Sequence, residues 1–197
     1  MEEMTGAWIG AAAVNLATEK IRVALERNDR VVSQRPSVGQ GTAVTRVSIR
    51  DGLTCDVEDG PWKLQVGMTD KYGGESAGPN PGVLGRAALG SCLAMGYVMW
   101  AARRGVPIRG LTVEVEADYD VRGELGVDDS ISPAYSAVRL VVTVESDSPE
   151  RDVCEVLREA ERYSSYWNLF REGVPVVRET WFARTGGTAP VSACEEV

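Results

Sequence analysis

"GPNPGVLGRAALGSCLAMGYVMWAARRG", residues 78–105, is a glycine- and proline-rich approach to an apolar run in which residues 82–102 carry a single charge, Arg86, and a single cysteine, Cys92. Arg103, Arg104 and Gly105 close the run, with Pro107 just beyond, and these are helix-ending signals. Length alone invites a membrane span. Gly82, Gly85, Gly90, Gly96 and Arg86 weaken that reading, and amphipathic strands on both sides replace it with a globular one. A helix apolar all round is buried all round. Two short sheets can each cover only one side of it, so a second copy of the helix is expected to complete the burial, as a homodimer with paired central helices.

Upstream, Val14, Ala17, Ile21, Ala24 and Leu25 repeat at helical spacing, opposite Glu19, Lys20, Arg22 and Glu26, which predicts an amphipathic N-terminal helix. "QRPSVGQG" (34–41) reads as a linker. In "GTAVTRVSIR" (41–50) Ala43, Thr45, Val47 and Ile49 share a face, and "PWKLQVGM" (61–68) alternates Trp62, Leu64, Val66 and Met68; with "LTCDV" between them they predict a three-stranded meander. A two-residue turn at Asp51-Gly52 pairs Ser48 with Cys55. A three-residue turn pairs Ile49 with Cys55 and Val47 with Val57, giving one apolar face, and this is the self-consistent register.

Downstream, "LTVEVEADYDV" (111–121) alternates Val113, Val115, Ala117, Tyr119 and Val121 against acids and pairs with "YSAVRLVVTVES" (135–146). "SPERDVCEVLREAERYSSYWNLF" (148–170) opens with a Ser cap and Pro149, and Val153, Val156, Leu157, Ala160, Tyr163 and Trp167 make one continuous helical stripe. "VPVVRETWFA" (174–183) is a last strand, before a loose tail. The order α-βββ-α-ββ-α-β is an α+β domain at 41–184, with a helical extension and linker at 1–40 and the tail at 185–197.

The 197 residues suit one domain burying roughly 70% of its extended surface. Twenty-nine acids against twenty-one bases, net −8, argue against nucleic acid or an anionic membrane as partner and for a small neutral substrate. Two glutamates stand where a signal peptide has basic residues, so the expected compartment is the cytoplasm. There the four cysteines, 55, 92, 154 and 194, with no CxxC pairing, are expected as free thiols. No histidine is present, which removes Ser-His-Asp and Cys-His catalysis and any His-ligated metal. Neither metal nor cofactor is expected.

The segment "GGESAGPNPGVLGRAALGSCLAMGYVMWAARRG" (73–105) resembles the osmotically inducible protein C and organic hydroperoxide resistance family (OsmC/Ohr) in its glycine-rich loop, its Asn-Pro step and its "A-A-x-x-x-C" helix. The likeness extends to "IRDGLTCDVEDG" (49–60), similar to the family's "G-R-D-G" hairpin, and through "YSSYWNLF" to the last strand, roughly residues 43–183. It implies antiparallel sheets around a buried central helix, an intertwined homodimer with sites at the interface, and reduction of organic hydroperoxides. By the resemblance Cys92 is the peroxidatic thiol and Arg50 its arginine partner. Two positions depart from the pattern. Gly82 stands where the hydroperoxide-resistance branch has glutamate, and Ser164 stands where a second cysteine opens "C-P-x-x-x-x-L".

A peroxidatic thiol must be a thiolate, and a free cysteine of pKa ~8.5 is ionised to only roughly 3% at pH 7, so a cation is needed. The dipole of its own helix is a poor source, because Cys92 lies nearly three turns inside and the effect fades within the first turn. Arg86 is poor too: six residues rotate a helix by about 600° and advance about 9 Å. Arg50, at a hairpin end and free to approach from a neighbouring subunit, is the better partner. Without the family glutamate it needs Asp51 or Glu75 to orient it. Ser164 cannot resolve a sulfenic acid and reads as a helical spacer. Cys55 reads as core, Cys154 lies about 15 Å along its helix from Ser164, and Cys194 is in the tail.

Two function classes follow. One is a single-cysteine peroxidase whose Cys92 is recycled by an external thiol. The other keeps the fold and binds a lipophilic ligand at the dimer interface without turnover, with Cys92 a small buried hydrophobe.

Overall fold

The computed structural model describes residues 15–176, 178, 181–182 and 192–193, with Arg50 described through its backbone alone. Its spine is α2 (Pro81–Arg104). Asn80 starts this helix, its side-chain oxygen accepting the Val83 N–H at 3.0 Å, with Pro81 in the first turn where no N–H is needed. Gly105 ends it in the left-handed conformation, φ 67°, its N–H returning to the Ala101 and Ala102 carbonyls. By length and composition α2 could cross a membrane. Instead it runs through the middle of a packed α+β fold.

Before it come α1 (Glu19–Gln34), a 3-10 turn at Pro36–Gly39, and the meander β1 (Arg46–Asp51), β2 (Thr54–Asp59) and β3 (Trp62–Gly67). After it come β4 (Gly110–Asp118), the single turn α3 (Val121–Glu124), β5 (Ala137–Glu145), α4 (Glu150–Arg162), α5 (Ser165–Glu172), and the short pair β6 (Trp181–Phe182) and β7 (Ser192–Ala193). Leu89, Leu93, Tyr97 and Ala101, spaced four apart, are the buried face of α2. Leu89, Leu93 and Tyr97 pack on the inward row Leu111, Val113 and Val115 of β4 and Leu140 and Val142 of β5, and on Leu157, Ala160 and Trp167 from the α4–α5 layer. Gly90 lets the sheet come close, since a Cβ there would sit 3.1 Å from Val115 Cγ2. Ala17 and Ile21 close the far end against Ala101, Ala102, Ile108 and Val156.

Tyr97 is fully buried and its hydroxyl donates to Glu161 Oε1 at 3.0 Å, tying α2 to α4. Burial, then the Glu161 charge and this hydrogen bond, push the phenol well above the ordinary tyrosine range. Its folded pKa is raised, so this stabilisation is complete below the unfolded value of ~10 and is lost as pH rises through the folded value. Tyr97→Phe should therefore lose about 1–2 kcal/mol in urea unfolding near neutral pH. It should also lose part of the wild-type decline in strongly alkaline solution. Unfolding of the variant at the wild-type urea midpoint would sink this assignment.

The meander adopts the register that the apolar face requires, with Val47 opposite Val57, Ile49 opposite Cys55, Val57 opposite Leu64 and Cys55 opposite Val66. The pairing is irregular between Ile49 and Asp51, and Asp51 faces Thr54, so Arg50 occupies a bulge beside a two-residue Gly52-Leu53 turn. Chain 77–79 runs along β3 so closely that a Cβ on Gly78 would lie 2.1 Å from the Gln65 carbonyl oxygen. Among the described residues no helix covers the meander's apolar face, where Val47 is 59% and Ile49 56% exposed.

Several expectations are corrected. The first helix begins after Thr18, whose hydroxyl accepts the Ile21 N–H, so Ala17 packs ahead of the helix; Val14 lies outside the described residues. β4 stops at Asp118, because Asp120 caps the α3 turn by accepting the Arg122 N–H, which takes Tyr119 and Val121 out of the strand. The expected single helix 148–170 is two helices, with a break at Tyr163-Ser164. Of the expected last strand, 174–176 are not extended into a sheet, Trp181–Phe182 pair with Ser192–Ala193, and 177, 179, 180 and 183 lie outside the described residues, as does most of the tail. One side of the central helix stays open within one chain, as expected from the sequence: Met95 is 61% and Met99 41% exposed.

Candidate active site

The break between α4 and α5 builds the site. Tyr163 closes α4, and Ser164 turns extended (φ −83°, ψ 123°), so that its hydroxyl accepts the Trp167 N–H at 3.2 Å and caps α5. Asn168 Nδ2 holds the same corner by donating to the Ser164 carbonyl at 2.8 Å and the Arg162 carbonyl at 3.2 Å. The corner lies against the middle of α2. There Ser164 Oγ is 3.3 Å from Cys92 Sγ, with Ser164 only 5% exposed and Cys92 half-buried.

This contact has a direction that depends on the sulfur. A hydroxyl has one hydrogen and two lone pairs, and the Trp167 N–H takes one lone pair. A thiol at 92 can then donate to the second lone pair, whereas a thiolate can only accept, and the hydroxyl is free to turn its hydrogen toward it. Cys92 lies deep in its own helix yet beside the N-terminal cap of α5, where partial positive charge collects. A Ser at 164 followed by the apolar "YWNLF" is a sequence signal for that cap. The unbroken stripe through Tyr163 and Trp167 hid it.

Arg86, Asp51 and Glu75 do not gather at Cys92. Arg86 turns away and donates from Nη1 to the Tyr135 hydroxyl at 3.2 Å, in a pocket that Cys92 does not line. Asp51 is exposed at the β1–β2 turn and Glu75 in the glycine-rich loop. Arg50 stands at the bulge by its backbone. Cys55 is half-buried on the meander's apolar face and Cys154 half-buried on α4, both free thiols; Cys194 lies outside the described residues. Among the described residues no group of three or more Cys, Asp or Glu side chains is placed to hold a metal ion.

Residues 73–179, more than half of the chain, match the family model of OsmC-like proteins. The chain belongs to that family. Among solved structures this OsmC-like protein is similar to an OsmC-like protein from Mycoplasma pneumoniae, at 11% identity and TM-score 0.57, over 68% of this chain and 89% of that one. It is also similar to an OsmC-like protein of unknown function from Vibrio cholerae, at 12% identity and TM-score 0.52, over 66% of this chain and 93% of that one. At these identities the likeness is one of fold: antiparallel sheets and helices around a central helix. No curated protein sequence matches this chain.

Proposed function

We propose that this OsmC-like protein reduces organic hydroperoxides with Cys92 as its reacting thiol, and that an external thiol restores it. The observation that carries the reading is the 3.3 Å contact between Cys92 Sγ and Ser164 Oγ at the α5 cap. The Cys92 thiolate attacks the distal peroxide oxygen, forming an S–O bond as the O–O bond breaks. Sulfur loses two electrons, the peroxide gains them, and the alkoxide leaves as an alcohol after taking a proton. A first external thiol attacks the sulfenic sulfur, releasing water and leaving a mixed disulfide, and a second thiol frees Cys92 and departs as the oxidised disulfide. Arg50 is assigned to the peroxide and the developing charge, from its bulge on the meander. Peroxide consumption with dithiothreitol as reductant tests the whole cycle: Cys92→Ser should fall to the uncatalysed rate, and a variant as fast as wild type would end the proposal.

The second reading, a lipophilic-ligand carrier, is favoured by Ser164 itself, since among the described residues a hydroxyl and not a second thiol lies beside Cys92. The two part on one measurement, whether Cys92 reacts with excess hydroperoxide.

Both readings make the protein a homodimer. The support is the apolar surface that one chain leaves open: Val47 and Ile49 on the meander, and Met95 and Met99 on the outer side of α2. Sedimentation at micromolar concentration should give a species of twice the chain mass. A stable folded monomer there would remove the dimer.

A further inference from the structure

At the head of α2 lies a cavity of about 340 Å³, whose lining does not include Cys92. Among the described residues that line it, Arg86 is the one cation. The guanidinium is half-buried, its Nη1 donates to the Tyr135 hydroxyl at 3.2 Å, and among the described residues no carboxylate forms an ion pair with it. A guanidinium offers five N–H donors in a planar fork, so one phenol leaves most of it for another acceptor.

Gly82 makes the room. A Cβ at this position would sit 3.3 Å from Tyr135 Oη and 3.4 Å from Arg86 Nη1, tight against both groups. Tyr72, Tyr119 and Met68 supply apolar and aromatic wall. Glu124 also lines the cavity, and its negative charge disfavours a dianion while tolerating a singly charged group. The volume is at the lower end of small-molecule sites.

We propose that this cavity binds a small monocarboxylate with an aromatic or apolar body, its carboxylate on Arg86 and its body against the tyrosines. The assignment is independent of whether Cys92 turns over.

The test uses benzoate as probe and benzamide as its uncharged isostere, followed by NMR on the intact protein at the Arg86 Nε and the Gly82 amide. Benzoate should shift both signals saturably with a millimolar Kd, benzamide should bind at least about tenfold more weakly, and inorganic phosphate should compete poorly. Arg86→Met should lose benzoate binding. Gly82→Glu, which tethers a carboxylate beside Arg86, should lose it at least about tenfold with the folded spectrum retained. Equal binding of benzoate and benzamide, benzoate binding kept in either folded variant, or no saturable shift by benzoate would each overturn the proposal.

Discussion

Organic hydroperoxide should convert Cys92 of the wild-type protein to a sulfenic acid that dimedone captures, and should convert the Ser164→Cys variant to an intramolecular disulfide that dimedone does not touch. A sulfenic acid next to a thiol condenses with it, whereas one without a thiol waits for an outside reductant or is oxidised further to sulfinic acid. In this chain the group beside Cys92 Sγ is a hydroxyl at 3.3 Å, and a hydroxyl cannot complete that step. Sulfur in its place would start from about that separation and close to the ~2.05 Å bond by side-chain rotation. Cys55 sits on the meander between Ile49 and Val66, and Cys154 lies ten residues before Ser164, so neither is placed to intervene. Intact-mass and peptide analysis after peroxide treatment reads every outcome. A wild-type disulfide from Cys92 to Cys55 or Cys154 would refute the single-cysteine cycle, and a Cys92 inert to excess peroxide would favour the ligand-carrier reading.

Leu93→Ala should destabilise the protein by about 3–5 kcal/mol, the range for a fully buried leucine whose cavity cannot collapse. Leu93 has no exposed surface and lies between the β4–β5 sheet and the α4–α5 layer, so no surface element can move in to fill the space. Urea unfolding at a fixed protein concentration, with the slope checked for two-state behaviour, measures it. A loss below about 1 kcal/mol would mean that the layers close over the gap and that α2 is less tightly enclosed than its burial indicates.

Much of this architecture was legible residue by residue because the rules that set it are local. The bounds of α2 follow from Asn80, Pro81 and Gly105, each acting on backbone groups within one turn. The meander register follows from side-chain alternation: sliding β1 by one residue would set Val47 and Ile49 on the face opposite Val57 and Cys55, so only one pairing keeps the apolar face whole. The unmatched face of α2 and the central place of Cys92 were equally visible.

The site was legible in its parts and hidden in its assembly. Whether "ERYSSYW" continues a helix or breaks it is close to balanced locally, because an apolar stripe and a serine cap compete for the same residues. The break aligns Ser164 with a cysteine 72 positions away, and no periodicity within either segment reports that distance. Arg86 likewise reads as a charge on the first turns of a helix until Tyr135, 49 residues on, comes to face it across a cavity that Gly82 leaves open. Composition and pattern determined which elements form and which faces are apolar, since those depend on neighbours along the chain. The pairing of Cys92 with a cap instead of a second thiol, and of Arg86 with a phenol instead of a carboxylate, was decided by the packing of α2 with elements far along the chain, where the free energy of burial outweighs the small local preferences on either side.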